Sequence, residues 1–210
     1  MKTEQEMNAI ISRLKALYPD AMCSLDYEKD YELLFSVRLA AQCTDARVNL
    51  VTPALFARFP RLEDYAVATP EEVGEYIRSC GFWRAKARDI VACAQQLLAR
   101  FGGRVPDNMD DLLSLPGVGR KTANLILGDI YGQEGSVCDT HCIRITGRLG
   151  ITDGSKDPVK VEQQLRRCLP PEGSNNFCHR MVLHGRAVCT ARAPQCESCT
   201  LRDLCDTGTL

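Results

Sequence analysis

The 210-residue chain predicts an all-α fold, on three observations. Apolar residues recur at helical spacing along most of its length. No run of four or more residues alternates apolar and polar between turn signals. Capping residues, glycines and prolines also fall at the offsets that start and stop helices.

Thr3 and Glu6 form the capping box of a first helix with the stripe Met7, Ile10, Ile11, Leu14 and Leu17, and Pro19 lies beyond its end. Asp30 is placed to cap a second helix through Leu33, Leu34, Phe35, Val37, Leu39 and Ala40, and so few polar positions suit a helix through a domain centre. A third follows Thr44 on Val48, Val51, Leu55 and Phe59. Pro53 should kink or split it, because proline removes an N–H and crowds the preceding turn. Thr69-Pro70-Glu71-Glu72 opens another helix, closed by Gly81. The next carries Ile90, Ala94, Leu97, Leu98 and Phe101 and stops at Gly102-Gly103. Further helices are predicted around 108–114, 120–131, 140–149, 158–168 and 175–187, with 132–136 as the internal boundary.

A composition of 45% hydrophobic and 25% charged residues is globular, and the length suits one domain or two closely packed ones. The opening residues are acidic and amidic, which is no signal peptide, and no apolar run approaches a membrane span. A cytoplasmic protein with thiols or metal ligands, rather than disulfides, is therefore expected from the twelve cysteines. Net charge is −1, which does not advertise a nucleic-acid binder. Locally, however, Arg84, Lys86, Arg88, Arg100 and Arg104 face only Asp89 across residues 84–104, a basic helix face compatible with backbone binding or with plain solvation.

Cys189, Cys196, Cys199 and Cys205 are separated by six, two and five residues, a spacing that lets four thiolates converge on one centre. Ligand type alone suits either tetrahedral zinc or an iron–sulfur cluster. The other eight cysteines are expected to be small buried apolar residues.

Leu115-Pro116-Gly117-Val118-Gly119-Arg120-Lys121-Thr122 lies between two helices. Its glycines permit a tight turn, and the free N–H groups of the following helix make an anion site. A nucleotide-binding P-loop needs glycine directly before the lysine, whereas Arg120 intervenes, and no strand leads in. The remaining readings are a phosphate-holding hairpin and a plain helix corner. Lys121 is either a phosphate contact or a nucleophile. The second role needs activation, since a free lysine titrates near about 10.4. The helix dipole, Arg120 and partial burial would each supply some. Asp139, before Thr140-His141-Cys142, is equally placed for a helix N-cap.

The hairpin, Asp139-Thr140-His141 and the four-cysteine spacing together resemble the endonuclease III family, a likeness running from Glu32 to Cys205. The resemblance implies a two-domain helix-hairpin-helix DNA glycosylase fold. A six-helix domain would span residues 22–133, and residues 1–21 with 134–210 would form a discontinuous helical domain holding a [4Fe-4S] cluster on the four cysteines. It also implies a bifunctional glycosylase and abasic-site lyase acting on oxidised pyrimidines in duplex DNA, with Lys121 and Asp139 as the catalytic pair and no diffusible cofactor. Leu115, Gly117, Val118, Gly119 and Arg120 would grip the DNA backbone. Gln42 would fill the gap left by an extruded base, Phe82 and Trp83 would supply a wedge, and His141 would line the base pocket. Taken alone, Trp83 is as well read as core, Gln42 as a helix-end polar residue, and His179 and His184 as structural. Arg186, Arg192 and Arg202 would position the cluster loop. Cys138 and Cys142 depart from the family's aliphatic residues, which implies altered packing. Relatives acting on adenine or thymine mismatches lack the lysine. A non-catalytic DNA-binding module and an electron carrier are the competing classes. A monomer is the default expectation.

Overall fold

The computed structural model describes residues 2–208. Among these there are eleven α-helices and no strand. The chain divides into two compact units, residues 24–130 and residues 1–23 with 131–210.

Residues 24–130 contain α2 (Asp30–Ala40), α3 (Asp45–Arg58), α4 (Leu62–Val67), α5 (Pro70–Ile77), α6 (Trp83–Phe101), α7 (Met109–Leu113) and α8 (Arg120–Asp129). The long α6 packs on α4 and α5, while α2 touches α3, α6 and α8. Tyr65 stands at the centre, its ring 5.0 Å from both Phe35 and Phe59. Leu33, Leu34, Leu55, Ile77, Ile90 and Leu97 are buried around it.

The other unit joins α1 (Glu4–Leu17) to α9 (Thr140–Leu149), α10 (Pro158–Cys168) and α11 (Ser174–Ala187). The capping box of α1 forms as expected: Glu6 N–H donates to Thr3 Oγ1, and the Glu6 carboxylate accepts from Thr3 N–H at 2.8 Å. Ile10 and Leu14 bury the stripe of α1. Arg180 Nε holds the Tyr18 carbonyl just past the end of that helix.

Two expectations are corrected, and one helix was missed. Asp30 is the first residue of α2 rather than its cap, and it is Glu32 that reaches back to accept the N–H groups of Glu28 and Lys29. Pro53 does not split α3, which runs unbroken to Arg58. Proline lies on the exposed side there, where the carbonyl it leaves unpaired can meet water. Finally, α4 went unnoticed because six residues are too few to display a period, although Asp64 caps it by accepting Arg61 N–H at 2.9 Å.

Candidate nucleic-acid interface and metal centre

The hairpin between α7 and α8 turns through Gly117, whose φ of +74° is left-handed, and closes on Val118 N–H donating to the Leu115 carbonyl. Leu115 is buried and anchors it. Gly117 also lies against the ion pair of Arg38 and Asp89, whose Nε and Oδ2 are 2.7 Å apart. A Cβ at Gly117 would stand 2.8 Å from Arg38 Nε. Gly119 differs: its φ is −102°, and a Cβ there would meet nothing within 4 Å. What its missing side chain provides is open space in front of the α8 N-terminus, which has no side-chain cap and no acid in its first turn. Exposed N–H groups, Arg120 and Lys121 thus gather at one end of α8, an arrangement that suits an anion. Lys121 is exposed rather than partly buried.

Gln42 and Phe82 are the two non-glycine residues with positive φ among those described, at 55° and 48°. Both are exposed, Phe82 by 71%. Such backbone costs about 1–3 kcal/mol and gathers at functional positions. Trp83 is half-buried instead, its ring filling the space beside Gly74 and lying 4.3 Å beneath the Arg84 guanidinium. Phe82 is therefore the member of the pair that projects. The basic face is likewise smaller than expected. Arg84, Arg88, Arg100 and Arg104 are exposed, but Lys86 is buried.

Asp139 is the N-cap of α9, its Oδ1 accepting Cys142 N–H at 2.7 Å. Two residues on, His141 Nδ1 stands 3.2 Å from Arg144 Nη2. The same guanidinium donates to the Cys189 carbonyl at 2.9 Å. One turn further, Arg148 donates to Cys189 Sγ at 3.3 Å and to the carbonyls of Thr190 and Ala191. One helix thus carries Asp139 at its start and the clamps of the cysteine loop along its length. Arg144 and Arg148 were missed in the sequence, although their i, i+4 spacing after Asp139 was the available signal. Of the three arginines expected there, Arg202 lines the cysteine cavity, while Arg186 and Arg192 are exposed.

Cys189, Cys196, Cys199 and Cys205 line one cavity of about 110 Å³ together with Ile145, Leu149 and His184. The buried His184 imidazole lies 3.3 Å from Tyr18 Oη and 3.6 Å from Cys199 Sγ, and burial holds its pKa below the ordinary value. Among the described residues, no three Cys, His, Asp or Glu side chains are grouped as ligands of a single ion. The four thiols line one shared space, and a set of four cysteine donors suits an iron–sulfur cluster. Of the other eight cysteines, Cys80, Cys93, Cys138, Cys142 and Cys178 are buried as expected, whereas Cys23, Cys43 and Cys168 are only half-buried.

Residues 35–171 match the model of the HhH-GPD superfamily of base excision DNA repair proteins, and residues 189–205 match the iron-sulfur binding domain of endonuclease III. A curated Endonuclease III from Synechocystis is 45% identical over 96% of this chain and 92% of its own length. That of Bacillus subtilis is 38% identical over 97% and 93%. The chain belongs to the endonuclease III family. A solved endonuclease III trapped as a covalent intermediate with DNA superposes with a TM-score of 0.92 at 40% identity, covering 100% of this chain and 98% of that one. A thermostable thymine-DNA glycosylase shares the fold, with a TM-score of 0.85 at 20% identity. A [4Fe-4S] cluster is the cofactor of the endonuclease III family, and the segment matching its binding domain begins and ends on Cys189 and Cys205. Among the described residues, no helix is long and apolar enough to cross a membrane.

Proposed function

We propose that this member of the endonuclease III family is a bifunctional DNA glycosylase and abasic-site lyase that excises oxidised pyrimidines from duplex DNA and acts in the cytoplasm. The observation that carries the reading is the α8 N-terminus, where Gly119 leaves open space before a helix end with no side-chain cap and no acid in its first turn, and Lys121 stands one residue beyond Arg120. The trapped covalent complex of its structural neighbour supports a covalent mechanism.

Residues 22–133 form the domain that grips the DNA backbone through Leu115, Gly117, Val118, Gly119 and Arg120. Extruding the damaged nucleotide costs a few kcal/mol of stacking, which Phe82 offsets by insertion while Gln42 hydrogen-bonds the base left unpaired and His141 lines the pocket. Neutral Lys121 Nζ then attacks C1′, and the C1′–N bond breaks with its electron pair leaving on the base. Asp139 stabilises the positive charge that develops on the sugar, using the oxygen that Cys142 N–H does not hold. Nζ then gives up a proton and the C1′–O4′ bond opens, O4′ taking a proton, to form an imine that acidifies the C2′ hydrogen, and β-elimination expels the 3′ phosphate. Cys189, Cys196, Cys199 and Cys205 hold the cluster, which staples the loop that Arg144 and Arg148 clamp.

Borohydride trapping on duplexes carrying thymine glycol or an abasic site tests this. Wild type should give a covalent adduct and Lys121→Ala none. Wild-type protein that binds the duplex but gives neither adduct nor strand cleavage would overturn the lyase reading.

A further inference from the structure

Lys86 belongs to the basic stretch of the sequence yet reaches no solvent. Its Nζ donates to the Leu39 carbonyl at 2.8 Å and to the Cys80 carbonyl at 2.7 Å. Neither partner is a carboxylate, so the cation is held by peptide oxygens alone, and burial is the largest cause lowering its pKa. An arrangement this costly requires a compensating return, because a buried ammonium loses the water that would otherwise solvate it.

The positions of the two carbonyls supply one. Leu39 is the penultimate residue of α2, and three residues later stands Gln42. Cys80 ends the 3-10 turn after α5, and two residues later stands Phe82. Both carbonyls lie at the negative end of a helical turn, where a cation is favoured. Lys86 further donates its own backbone N–H to the Phe82 carbonyl at 3.2 Å. One residue therefore fixes the carbonyls on both sides of the left-handed Gly81-Phe82 step and the last turn before left-handed Gln42.

We propose that Lys86 is a positioning residue that sets the spacing between Gln42 and Phe82, so that the two enter the duplex together. The claim rests on the roles given above to those two side chains. Lys86 itself touches no DNA. It ties the loop that would insert to the loop that would read the orphaned base, and each left-handed residue is held in place by a neighbour's hydrogen bond to the same ammonium. Losing it removes two charge-assisted hydrogen bonds and leaves two buried carbonyls without donors.

The test compares borohydride trapping on a duplex containing an abasic site with trapping on the same strand alone. Only the duplex has a partner base and a stack for the two loops to act on. Lys86→Met should slow trapping on the duplex about tenfold or more and leave the single strand unchanged. Added to the double variant Gln42→Ala/Phe82→Ala, it should produce no further loss. Equal slowing on both substrates, a loss that adds in full to the double variant, or wild-type rates on the duplex would each overturn the proposal. A double variant that itself works at wild-type rates on the duplex would overturn the roles of Gln42 and Phe82 instead, and the coupling with them. Should circular dichroism find Lys86→Met unfolded, Lys86→Gln carries the same comparison, keeping N–H donors without the charge. Its loss should again be confined to the duplex.

Discussion

Asp139 divides two tasks between its two oxygens. Oδ1 caps α9, and in the proposed reaction Oδ2 serves the sugar. Asparagine keeps an acceptor and is as good a cap as aspartate, whereas alanine is not. Asp139→Asn should therefore melt within about 0.5 kcal/mol of wild type while excision falls on the order of a hundredfold or more. Asp139→Ala should lose similar activity and also about 1 kcal/mol of stability. Thermal melting alongside single-turnover excision separates the two. An Asp139→Asn protein with full activity would reduce the residue to a cap. At this scale the sequence exposed residue types and spacings but not surroundings. It showed that Asp139 could cap, yet not which member of Phe82-Trp83 projects, because the answer depends on Gly74 making room for the indole. It counted Lys86 as a surface charge, since nothing local distinguishes a lysine that will be buried under carbonyls from one in water.

Among the elements, the hairpin separates two glycines that a motif treats alike. Gly117 needs its left-handed φ and has the Arg38–Asp89 pair against it, so Gly117→Ala should cost about 2 kcal/mol or more and weaken DNA binding as the hairpin shifts. Gly119 has ordinary φ and open space. Gly119→Ala should stay within about 1 kcal/mol of wild type yet bind duplex DNA more weakly, as a methyl group intrudes on the phosphate approach. Urea denaturation and a binding titration report both, and equal stability losses at the two positions would refute the distinction. Helix starts were legible wherever a side chain makes the cap, as with Thr3, Thr69 and Asp139. They were misplaced where the capping oxygen reaches back from within the helix, as Glu32 does. The all-helical class and the four-cysteine loop were written in periodicity and spacing, whereas the arginine clamps of that loop come from α9, some 40 residues away in sequence.

At the scale of the molecule, the unit made of residues 1–23 and 131–210 draws its order from contacts between distant stretches of chain. Arg13 pairs with Asp203, Lys2 with Asp206, and Tyr18 with His184. Several of these partners sit in or beside the cysteine loop, so stripping the iron should loosen that loop and α1 together. Limited proteolysis after chelation should cut within residues 189–208 and near residues 1–23 before it cuts residues 24–130. Early cleavage in α6 would contradict this. The eight cysteines outside the loop form no disulfide in the structure.

The pairing of the first helix with the last has a consequence for the ribosome. Residues 24–130 can leave the exit tunnel as a contiguous stretch and fold while translation continues. Helix α1, made before that stretch, has to wait for α11 and for Asp203, which are made after it. Throughout that interval its Met7, Ile10 and Leu14 stripe has no mate, and the last cysteine of the cluster does not yet exist. Iron delivery therefore waits for the synthesis of Cys205, and until then a folded residue 24–130 unit accompanies an unpartnered α1.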